Sequence, residues 1–327
     1  MRISVLGAGA WGTALAVALS QRHQTSLWTR DPDHAEAIRQ SRINARYLPG
    51  VRLPAEVLVQ SDLQRTLSST ELVLIATPTS ALRAMLRQIA SVEIELPVVW
   101  ACKGFERESA CLPHEIVASE LPGRKCAVLS GPSFALEVAR AQPTALILAS
   151  SDVEFARTMA STLHQTMLRI YYSEDVIGVE IAAAVKNVMA IATGICDGME
   201  LGMNARAALM TRGLAEIARL GTHLGGRPET FMGLAGVGDL ILTCTGDLSR
   251  NRKVGLQLAA GDSLDIILDR LGHVAEGVYS AREVRRIAAD NGVEMPISNA
   301  VCDVLFEGKT AAKALHELLA RDPKLER

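Results

Sequence analysis

A lysine and an asparagine stand side by side in a long apolar stretch in the second half of this 327-residue chain. Lys186 and Asn187 are its strongest polar groups between Ile181 and Gly194, and a helix that is apolar on nearly all sides is typically buried. Burial removes hydration from an ammonium group and lowers its pKa from about 10.4 toward ~7–8, where proton exchange with a substrate oxygen is efficient. We predict that Lys186 is a catalytic acid and base with Asn187 as its orienting partner. The alternative is a lysine whose ammonium reaches the surface.

Polar groups also follow two predicted strands. Lys103 follows one of them, and Gly131 and Ser133 follow another, just before a helix. Ligands of parallel α/β sheets bind at the carboxyl ends of the strands. An ammonium group at Lys103 would attract an anionic substrate and lower the pKa of Lys186 further, while Ser133 and nearby backbone N–H groups could hold a substrate oxygen or phosphate. Alternatively, Lys103 is an ordinary loop lysine and Ser133 is a helix cap.

A third group of polar residues follows in the second half of the chain. A glycine-dense stretch contains Asp239, and Ser249, Arg250 and Asn251 come shortly after it. The guanidinium fork of Arg250 suits phosphate oxygens, and Asn251 adds a donor. Asp239 could bind a substrate hydroxyl or hold Lys186. Each of these residues alone is also typical of a surface loop.

The chain begins with a pattern typical of phosphate binding. Gly7, Gly9 and Gly12 fit G-x-G-x-x-G between a predicted strand and a predicted helix. The first glycine permits a tight turn, the second lets a pyrophosphate approach the backbone, and the third lets the helix pack on the sheet. The N-terminus of the helix adds free N–H groups and partial positive charge. The pattern predicts a dinucleotide site.

The end of the second predicted strand bears on the choice between NADP and NAD. An acidic residue there favours a free ribose 2′-hydroxyl, and an arginine favours a 2′-phosphate. Arg30 and Asp31 occur side by side. Arg30 is nearer the strand, so we favour NADPH, with NADH as the alternative. Both residues could instead be solvated, with Asp31 capping the next helix.

Strands and helices alternate in the first half of the sequence. The predicted strands are Ile3–Leu6, Ser26–Thr29, Leu72–Ala76, Val98–Ala101, Ala127–Ser130, Ala145–Ala149 and Arg169–Tyr172. This alternation predicts a parallel sheet with helices on both faces, and the stretch from Asn44 to Pro54 is interpreted as a surface connection. After about Glu174 only helical patterns continue. We therefore predict an α/β N-terminal, Rossmann-type, doubly wound dinucleotide-binding domain (residues 1–176) and an all-α C-terminal substrate and catalytic domain (residues 177–327).

The composition argues against several kinds of partner. The net charge is -2 and only 4% of residues are aromatic, so we expect no nucleic acid partner. The six cysteines have neither C-x-x-C nor zinc-finger spacing, so we expect reduced thiols, a cytoplasmic protein and no metal. The uncharged run from Ile3 to Ser20 resembles a signal peptide, but three glycines interrupt it and we interpret it as folded protein. We expect no integral membrane association.

Eight motifs, taken together, are specific for one family. They extend from residue 7 to about residue 278 and read GAGAWGTALA, NARYLPG, CKGF, SGPSFA, VKNVMAIATGICDG, GLAGVGDLILTC, SRN and VAEGV. The chain resembles the bacterial type of NAD(P)-dependent glycerol-3-phosphate dehydrogenase. Ala10 departs from the pattern, because relatives often carry serine there. The alanine removes one side-chain contact to the cofactor phosphates and leaves the backbone contacts intact.

The resemblance implies roles for the matching residues. Lys186 would be the proton donor and acceptor. The substrate would be bound by Lys103, Gly131, Ser133, Lys186, Asp239, Ser249, Arg250 and Asn251. The cofactor would be bound by Gly7, Gly9, Ala10, Trp11, Gly12, Arg30, Lys103, Ala135, Arg250, Val274 and Glu276. The roles of Val274 and Glu276 rest on the resemblance alone.

The resemblance also implies reversible reduction of dihydroxyacetone phosphate to sn-glycerol 3-phosphate with NADPH or NADH, supplying glycerol phosphate for phospholipid synthesis. Two alternatives stay open. One is a related Rossmann dehydrogenase acting on a 3-hydroxy acid, and the other is a non-catalytic redox sensor that binds NAD(P)H. The segment Ser249–Asn251 favours a small phosphorylated substrate, and the pair of lysines favours catalysis. A homodimer is compatible with the sequence, although no residue indicates one.

Overall fold

One mixed sheet dominates the first half of the chain. In the computed structural model, which describes residues 1–92, 94–271, 275–322 and 325, this sheet has eight strands. They are β1 (Arg2–Leu6), β2 (Gln24–Trp28), β3 (Leu58–Gln60), β4 (Leu72–Ile75), β5 (Val98–Trp100), β6 (Cys126–Ser130), β7 (Thr144–Ala149) and β8 (Leu168–Ser173). Their order is β3-β2-β1-β4-β5-β6-β7-β8. The order reverses beside β1, so the carboxyl end of β1 lies at the switch point where doubly wound sheets bind ligands.

The prediction of a wholly parallel sheet is wrong at one pair. Strands β6 and β7 are antiparallel, with Leu129 opposite Leu148, whereas the other neighbouring pairs are parallel. The connection from β6 to β7 contains only the five-residue helix Ala135–Ala139. Such a helix rises about 7 Å, and a six-residue strand spans about 20 Å. The helix is therefore too short to return the chain to the other end of the sheet.

Helices cover the sheet within this first part of the chain. They are α1 (Ala10–Leu19), α2 (Pro32–Ser41), α3 (Leu63–Leu67), α4 (Leu82–Ala90), α5 (Pro113–Glu120), α6 (Ala135–Ala139) and α7 (Val153–Leu163), with a 3₁₀ turn at Thr79–Ala81. Asp31, Asp62 and Asp152 cap the first turns of α2, α3 and α7 by accepting backbone N–H groups. The core between sheet and helices contains Leu15 and Leu74, both fully buried.

The segment from Asn44 to Pro54 is packed, which corrects its interpretation as a surface connection. Leu48, Val51 and Leu53 are buried and belong to the main hydrophobic core. Asn44 is fully buried. The backbone bridges between Ile43 and Arg52, so the segment forms a closed turn. Its apolar residues are spaced too irregularly to match a strand or helix period, and the sequence pattern alone therefore did not indicate their burial.

The second half of the described chain is helical, as predicted. Its helices are α8 (Val176–Gly198), α9 (Gly202–His223), α10 (Pro228–Phe231), α11 (Asp239–Thr245), α12 (Arg250–Ala259), α13 (Leu264–Leu271), α14 (Glu276–Asp290), α15 (Pro296–Phe306) and α16 (Ala311–Leu319). A π-helical turn occupies Leu234–Gly238. The chain divides into two compact units, Met1–Glu180 and Ile181–Arg327. The predicted boundary after residue 176 falls within α8, shortly before this division.

From Ile181 onward, helix α8 belongs to the second unit, where most of its residues are buried. It is long and apolar enough to span a bilayer, but 89% of its most apolar window is buried inside the protein. It crosses α12 at backbone contact distance, because a Cβ on Gly255 would lie 2.1 Å from the carbonyl oxygen of Ile191. This close crossing requires glycine. It also brings the start of α12 beside the middle of α8, where Lys186 lies.

Candidate active site

A glycine turn links β1 to α1 at the carboxyl edge of the sheet. Gly7 has φ +118°, and a Cβ there would lie 2.8 Å from the carbonyl oxygen of Ala76. A Cβ on Gly12 would lie 1.9 Å from the carbonyl oxygen of Gly7. A Cβ on Gly9 would meet nothing within 4 Å. The first and third glycines are therefore required by the fold, whereas Gly9 borders open space.

The start of α1 fits an anionic group. Gly9 is the N-cap residue and makes no side-chain cap, and the first turn contains no acidic residue. The first N–H groups of a helix have no partner within it and carry partial positive charge. Ala10 and Trp11, which are partly buried, begin the helix. With open space at Gly9, this cradle of N–H groups suits the pyrophosphate of a dinucleotide.

Arg30 and Asp31 behave differently at the end of β2. Oδ1 of Asp31 accepts hydrogen bonds from the backbone N–H groups of Asp33 at 3.1 Å and His34 at 3.2 Å, so its carboxylate caps α2. Arg30 is exposed and has no hydrogen bond or ion pair with any described residue. The possibility that Asp31 is a helix cap is therefore confirmed, and the guanidinium group of Arg30 is available to a ligand.

The loops after β5 and β6 hold the other residues predicted in the first unit. Lys103 is partly exposed, and its carbonyl oxygen accepts a hydrogen bond from the Thr79 hydroxyl at 2.9 Å. Gly131 has φ +124°, and its carbonyl oxygen accepts the Ser133 hydroxyl at 3.1 Å. Ser133 does not cap α6, since the N-cap residue is Phe134 and makes no side-chain cap. Helix α6 packs against α1, which places Ala135 on the element beside the glycine turn.

Lys186 forms a buried ion pair in the second unit. Its Nζ lies 2.5 Å from Oδ1 of Asp239, and the two side chains are 5% and 1% exposed. Nζ also donates a hydrogen bond to the Thr243 hydroxyl at 2.9 Å. The predicted burial of Lys186 is confirmed, and its ammonium group does not reach the surface. Of the two roles left open for Asp239, the structure shows the second, holding the lysine.

The position of Asp239 is set by the turn before it. The π-helical turn Leu234–Gly238 ends where α11 begins at Asp239. A Cβ on Gly236 would lie 2.0 Å from the carbonyl oxygen of Phe231, so the glycine permits this tight packing. Thr243 lies one turn further along α11, and its hydroxyl donates to the carbonyl oxygen of Asp239 at 2.6 Å. The hydroxyl is thereby oriented to accept from Lys186.

A chain of amide hydrogen bonds runs beside the ion pair. Nδ2 of Asn187 donates to the Ala183 carbonyl at 3.3 Å, and its Oδ1 accepts from Nδ2 of Asn251 at 2.9 Å. Oδ1 of Asn251 accepts from the N–H of Gly277 at 3.0 Å. These bonds join α8, α12 and α14. Asp239 and Thr243, rather than Asn187, orient Lys186.

The remaining predicted residues lie at the starts of α12 and α14. Ser249 is buried and caps α12 by accepting the N–H of Arg252 at 3.3 Å. Arg250 is exposed and has no hydrogen bond or ion pair in the described part of the chain. Glu276 begins α14, and Val274 lies outside the described residues. The hydrogen bonds of Asn251 to Asn187 and Gly277 fix the backbone next to Arg250.

Sequence reasoning missed Thr243 and Gly277. Thr243 stands four residues after Asp239, so both lie on one face of a helix. This spacing would have indicated that Thr243 lies beside Asp239 if α11 had been predicted. The N–H of Gly277 carried no signal, because its partner Asn251 is distant in sequence. Among the described residues, no group of three or more His, Cys, Asp and Glu side chains could hold a metal ion.

Comparison with known families decides the identity. The model described as the NAD-dependent glycerol-3-phosphate dehydrogenase N-terminus matches residues 2–156, and that described as the C-terminus of the same enzyme matches residues 175–316. The chain belongs to the NAD-dependent glycerol-3-phosphate dehydrogenase family. Both halves of the molecule are thus accounted for by one family. The glycine turn lies in the N-terminal match, and the Lys186–Asp239 pair lies in the C-terminal match.

Individual members of the glycerol-3-phosphate dehydrogenase family agree with this assignment. The chain is 58% identical to a glycerol-3-phosphate dehydrogenase [NAD(P)+] of Dechloromonas aromatica, covering 100% of this chain and 99% of the relative. It is 56% identical to the enzyme of that name from Thiobacillus denitrificans, covering 100% of both. The crystal structure of glycerol-3-phosphate dehydrogenase from Coxiella burnetii is 41% identical, with a TM-score of 0.94, covering 98% of this chain and 99% of that one.

Proposed function

We propose that this chain catalyses the reversible NAD(P)H-dependent reduction of dihydroxyacetone phosphate to sn-glycerol 3-phosphate. The observation that carries the proposal is the buried contact of 2.5 Å between Lys186 Nζ and Asp239 Oδ1. It lies in a chain whose relatives bear the name of this enzyme. A buried, paired ammonium beside a hydroxyl is a proton source of fixed orientation, which carbonyl reduction requires.

When bound, the reduced nicotinamide supplies the hydride that reduces the ketone carbon. Lys186 donates a proton from Nζ to the ketone oxygen as that oxygen gains negative charge. Asp239 and Thr243 hold Nζ in one place, so the proton need not be repositioned for each turnover. In the reverse direction Nζ accepts the proton of the substrate hydroxyl.

Asp239 also favours reprotonation of Lys186 after Nζ has donated its proton. Loss of the proton leaves a neutral amine beside a carboxylate that is only 1% exposed. An uncompensated charge in a buried site is costly, so the pair favours return of a proton from solvent water to Nζ. The carboxylate thus keeps the lysine in its charged, donating form between turnovers.

Other residues bind the two substrates in this proposal. Arg250 binds the substrate phosphate, because its guanidinium group is exposed and has no partner among the described residues. Lys103, Gly131 and Ser133 also bind substrate. The glycine turn holds the cofactor pyrophosphate, Arg30 favours NADPH over NADH, and Ala135, Glu276 and Val274 complete the cofactor site. We further propose a cytoplasmic enzyme that supplies glycerol phosphate for phospholipid synthesis.

A substrate panel tests the proposal. Nicotinamide oxidation is followed with dihydroxyacetone phosphate, with dihydroxyacetone, which lacks the phosphate, and with acetoacetate, which carries a carboxylate. We expect turnover with the first substrate and very little with the others. At saturating NADPH, Arg250→Ala should lower kcat/KM for dihydroxyacetone phosphate and leave the low rate with dihydroxyacetone unchanged. Lys253→Ala, an exposed cation on the same helix, is the control. Preference for acetoacetate would instead support a 3-hydroxy acid dehydrogenase.

A further inference from the structure

Asn44 connects the packed turn after α2 to the glycine turn after β1. Its Nδ2 donates to the carbonyl oxygen of Ala8 at 2.8 Å and to the hydroxyl of Thr13 at 2.8 Å. Asn44 and Thr13 are both fully buried. Ala8 lies between the first two glycines of the motif, and Thr13 lies in the first turns of α1. A single amide group therefore holds both sides of the phosphate cradle.

The backbone around Asn44 fixes its amide in turn. Its Oδ1 accepts the N–H of Tyr47 at 3.3 Å, and its carbonyl oxygen accepts the N–H of Leu48 at 2.8 Å. The segment is closed by the N–H of Leu53, which donates to the carbonyl oxygen of Arg42 at 2.8 Å. The hydrogen bonds of its own turn therefore hold Asn44 in the position from which its amide contacts Ala8.

The hydrogen bond from Asn44 to the Ala8 carbonyl oxygen determines the direction of the Gly9 N–H. A trans peptide unit is planar, with its carbonyl oxygen and its N–H directed to opposite sides. Holding the Ala8 oxygen therefore directs the N–H of Gly9 away from Asn44. That N–H makes no hydrogen bond with any described residue. Gly9 also borders open space, since a Cβ there would meet nothing within 4 Å.

We propose that Asn44 is a positioning residue for dinucleotide binding, directing the Gly9 N–H toward the pyrophosphate without touching the cofactor. The inference rests on the proposed function, which supplies the dinucleotide. Removing the amide leaves the Ala8–Gly9 peptide free to rotate and its carbonyl oxygen without a partner. The pyrophosphate then loses a preorganised donor, while contacts to the adenosine part are unaffected.

The main test measures binding without turnover, and steady-state kinetics give a second readout. Calorimetry with Asn44→Ala compares three probes: NADPH, ADP-ribose, which contains the pyrophosphate, and adenosine 2′-monophosphate, which lacks it. We expect Asn44→Ala to weaken NADPH and ADP-ribose about 10-fold, the effect of one hydrogen bond to a charged group, and to leave adenosine 2′-monophosphate unchanged. If Asn44→Ala does not fold, Asn44→Ser takes its place. At saturating NADPH, Asn44→Ala should have the kcat of the wild type, so the defect should appear as a raised KM for NADPH.

A matched control separates positioning from general destabilisation. Thr70→Val removes two buried hydrogen bonds elsewhere in the same unit, those of the Thr70 hydroxyl with the Ser4 hydroxyl at 2.6 Å and with the carbonyl oxygen of Thr66 at 2.7 Å. It should lower the Tm about as much as Asn44→Ala and leave all three affinities unchanged. Equal affinity of Asn44→Ala and wild type for ADP-ribose would overturn the role of Asn44. Equal weakening of all three probes would also overturn it. Failure of the wild type to bind NADPH would overturn the proposed function and this inference together.

Discussion

Lys186 Nζ and Asp239 Oδ1 lie 2.5 Å apart, although the two residues come from separate helices and are almost wholly buried. Taking two charges out of water is costly, and the cost is recovered only through good geometry and further hydrogen bonds. Thr243 supplies one such bond to Nζ at 2.9 Å. A pair of this kind is poor evidence for stability, and it is the observation on which the proposed catalytic role of Lys186 rests.

Breaking this pair should destabilise the protein. In Asp239→Asn a buried ammonium loses its counter-charge, so the free energy of unfolding should fall by about 3–5 kcal/mol, measured by denaturant titration. The double variant Lys186→Met with Asp239→Asn should be more stable than the sum of the single effects predicts. Asp247→Asn is the control, because Asp247 is 97% exposed and pairs with Arg252 at 3.1 Å. If the effects of Lys186→Met and Asp239→Asn on the free energy of unfolding were additive, the two residues would not be energetically coupled.

Arg30 should control the choice of cofactor. Because Arg30 is exposed and has no partner among the described residues, Arg30→Ala should remove no contact within the described part of the protein, and only the proposed contact to the cofactor. The affinity for NADPH should fall about 10-fold, the effect of one hydrogen bond to a charged group, and the affinity for NADH should not change. Arg65→Ala, an exposed arginine of the same unit, should alter neither. A parallel loss of both affinities would assign Arg30 another role.

Glu216 should make stability depend on pH. Its carboxylate accepts the N–H groups of Ile297 at 2.6 Å and Ser298 at 3.1 Å, which joins α9 to the start of α15. Burial raises the pKa of Glu216 from 4.5 to about 6, although these hydrogen bonds oppose the rise. A raised carboxyl pKa contributes stability that is complete below about pH 4.5 and is lost as the pH rises through about 6.

The measurement compares wild type with Glu216→Gln, which does not titrate. The unfolding free energy of the wild type, relative to that of Glu216→Gln, should fall by about 2 kcal/mol between pH 4.5 and pH 7, since one pKa unit corresponds to about 1.4 kcal/mol. A difference that stays constant over this range would show that Glu216 titrates alike in the folded and unfolded states.

Much of the fold could be predicted because periodic segments carry their own end signals. The start of α2 is an example, since Asp31 caps its first turn, as the sequence allowed, and Pro32 is its first residue. Strand β3 was missed because it has only three residues and Leu58 is exposed, which gives too short a pattern. The direction of β7 was also missed, because alternation of apolar residues does not encode strand direction.

The candidate site could be predicted only in part. Lys186 stood out because a charge in an apolar helix is unusual. The partner of Asp239 stayed open, since sequence spacing does not show which helices meet. The amide contact between Asn187 and Asn251 depends on the close crossing of α8 and α12, which only the structure shows. Val274 lies outside the described residues, so its predicted role stays a prediction.

The central claim is that Lys186 supplies the proton for reduction of dihydroxyacetone phosphate. The most direct measurement follows NADPH oxidation by the wild type and by Lys186→Met, with NADPH affinity determined separately for both. We expect oxidation by the wild type only when dihydroxyacetone phosphate is present. In Lys186→Met kcat should fall about 10²–10⁴-fold, the usual contribution of a positioned acid, at unchanged NADPH affinity. Lys313→Met, an exposed lysine, should keep full activity. Near-normal turnover by Lys186→Met would contradict the account.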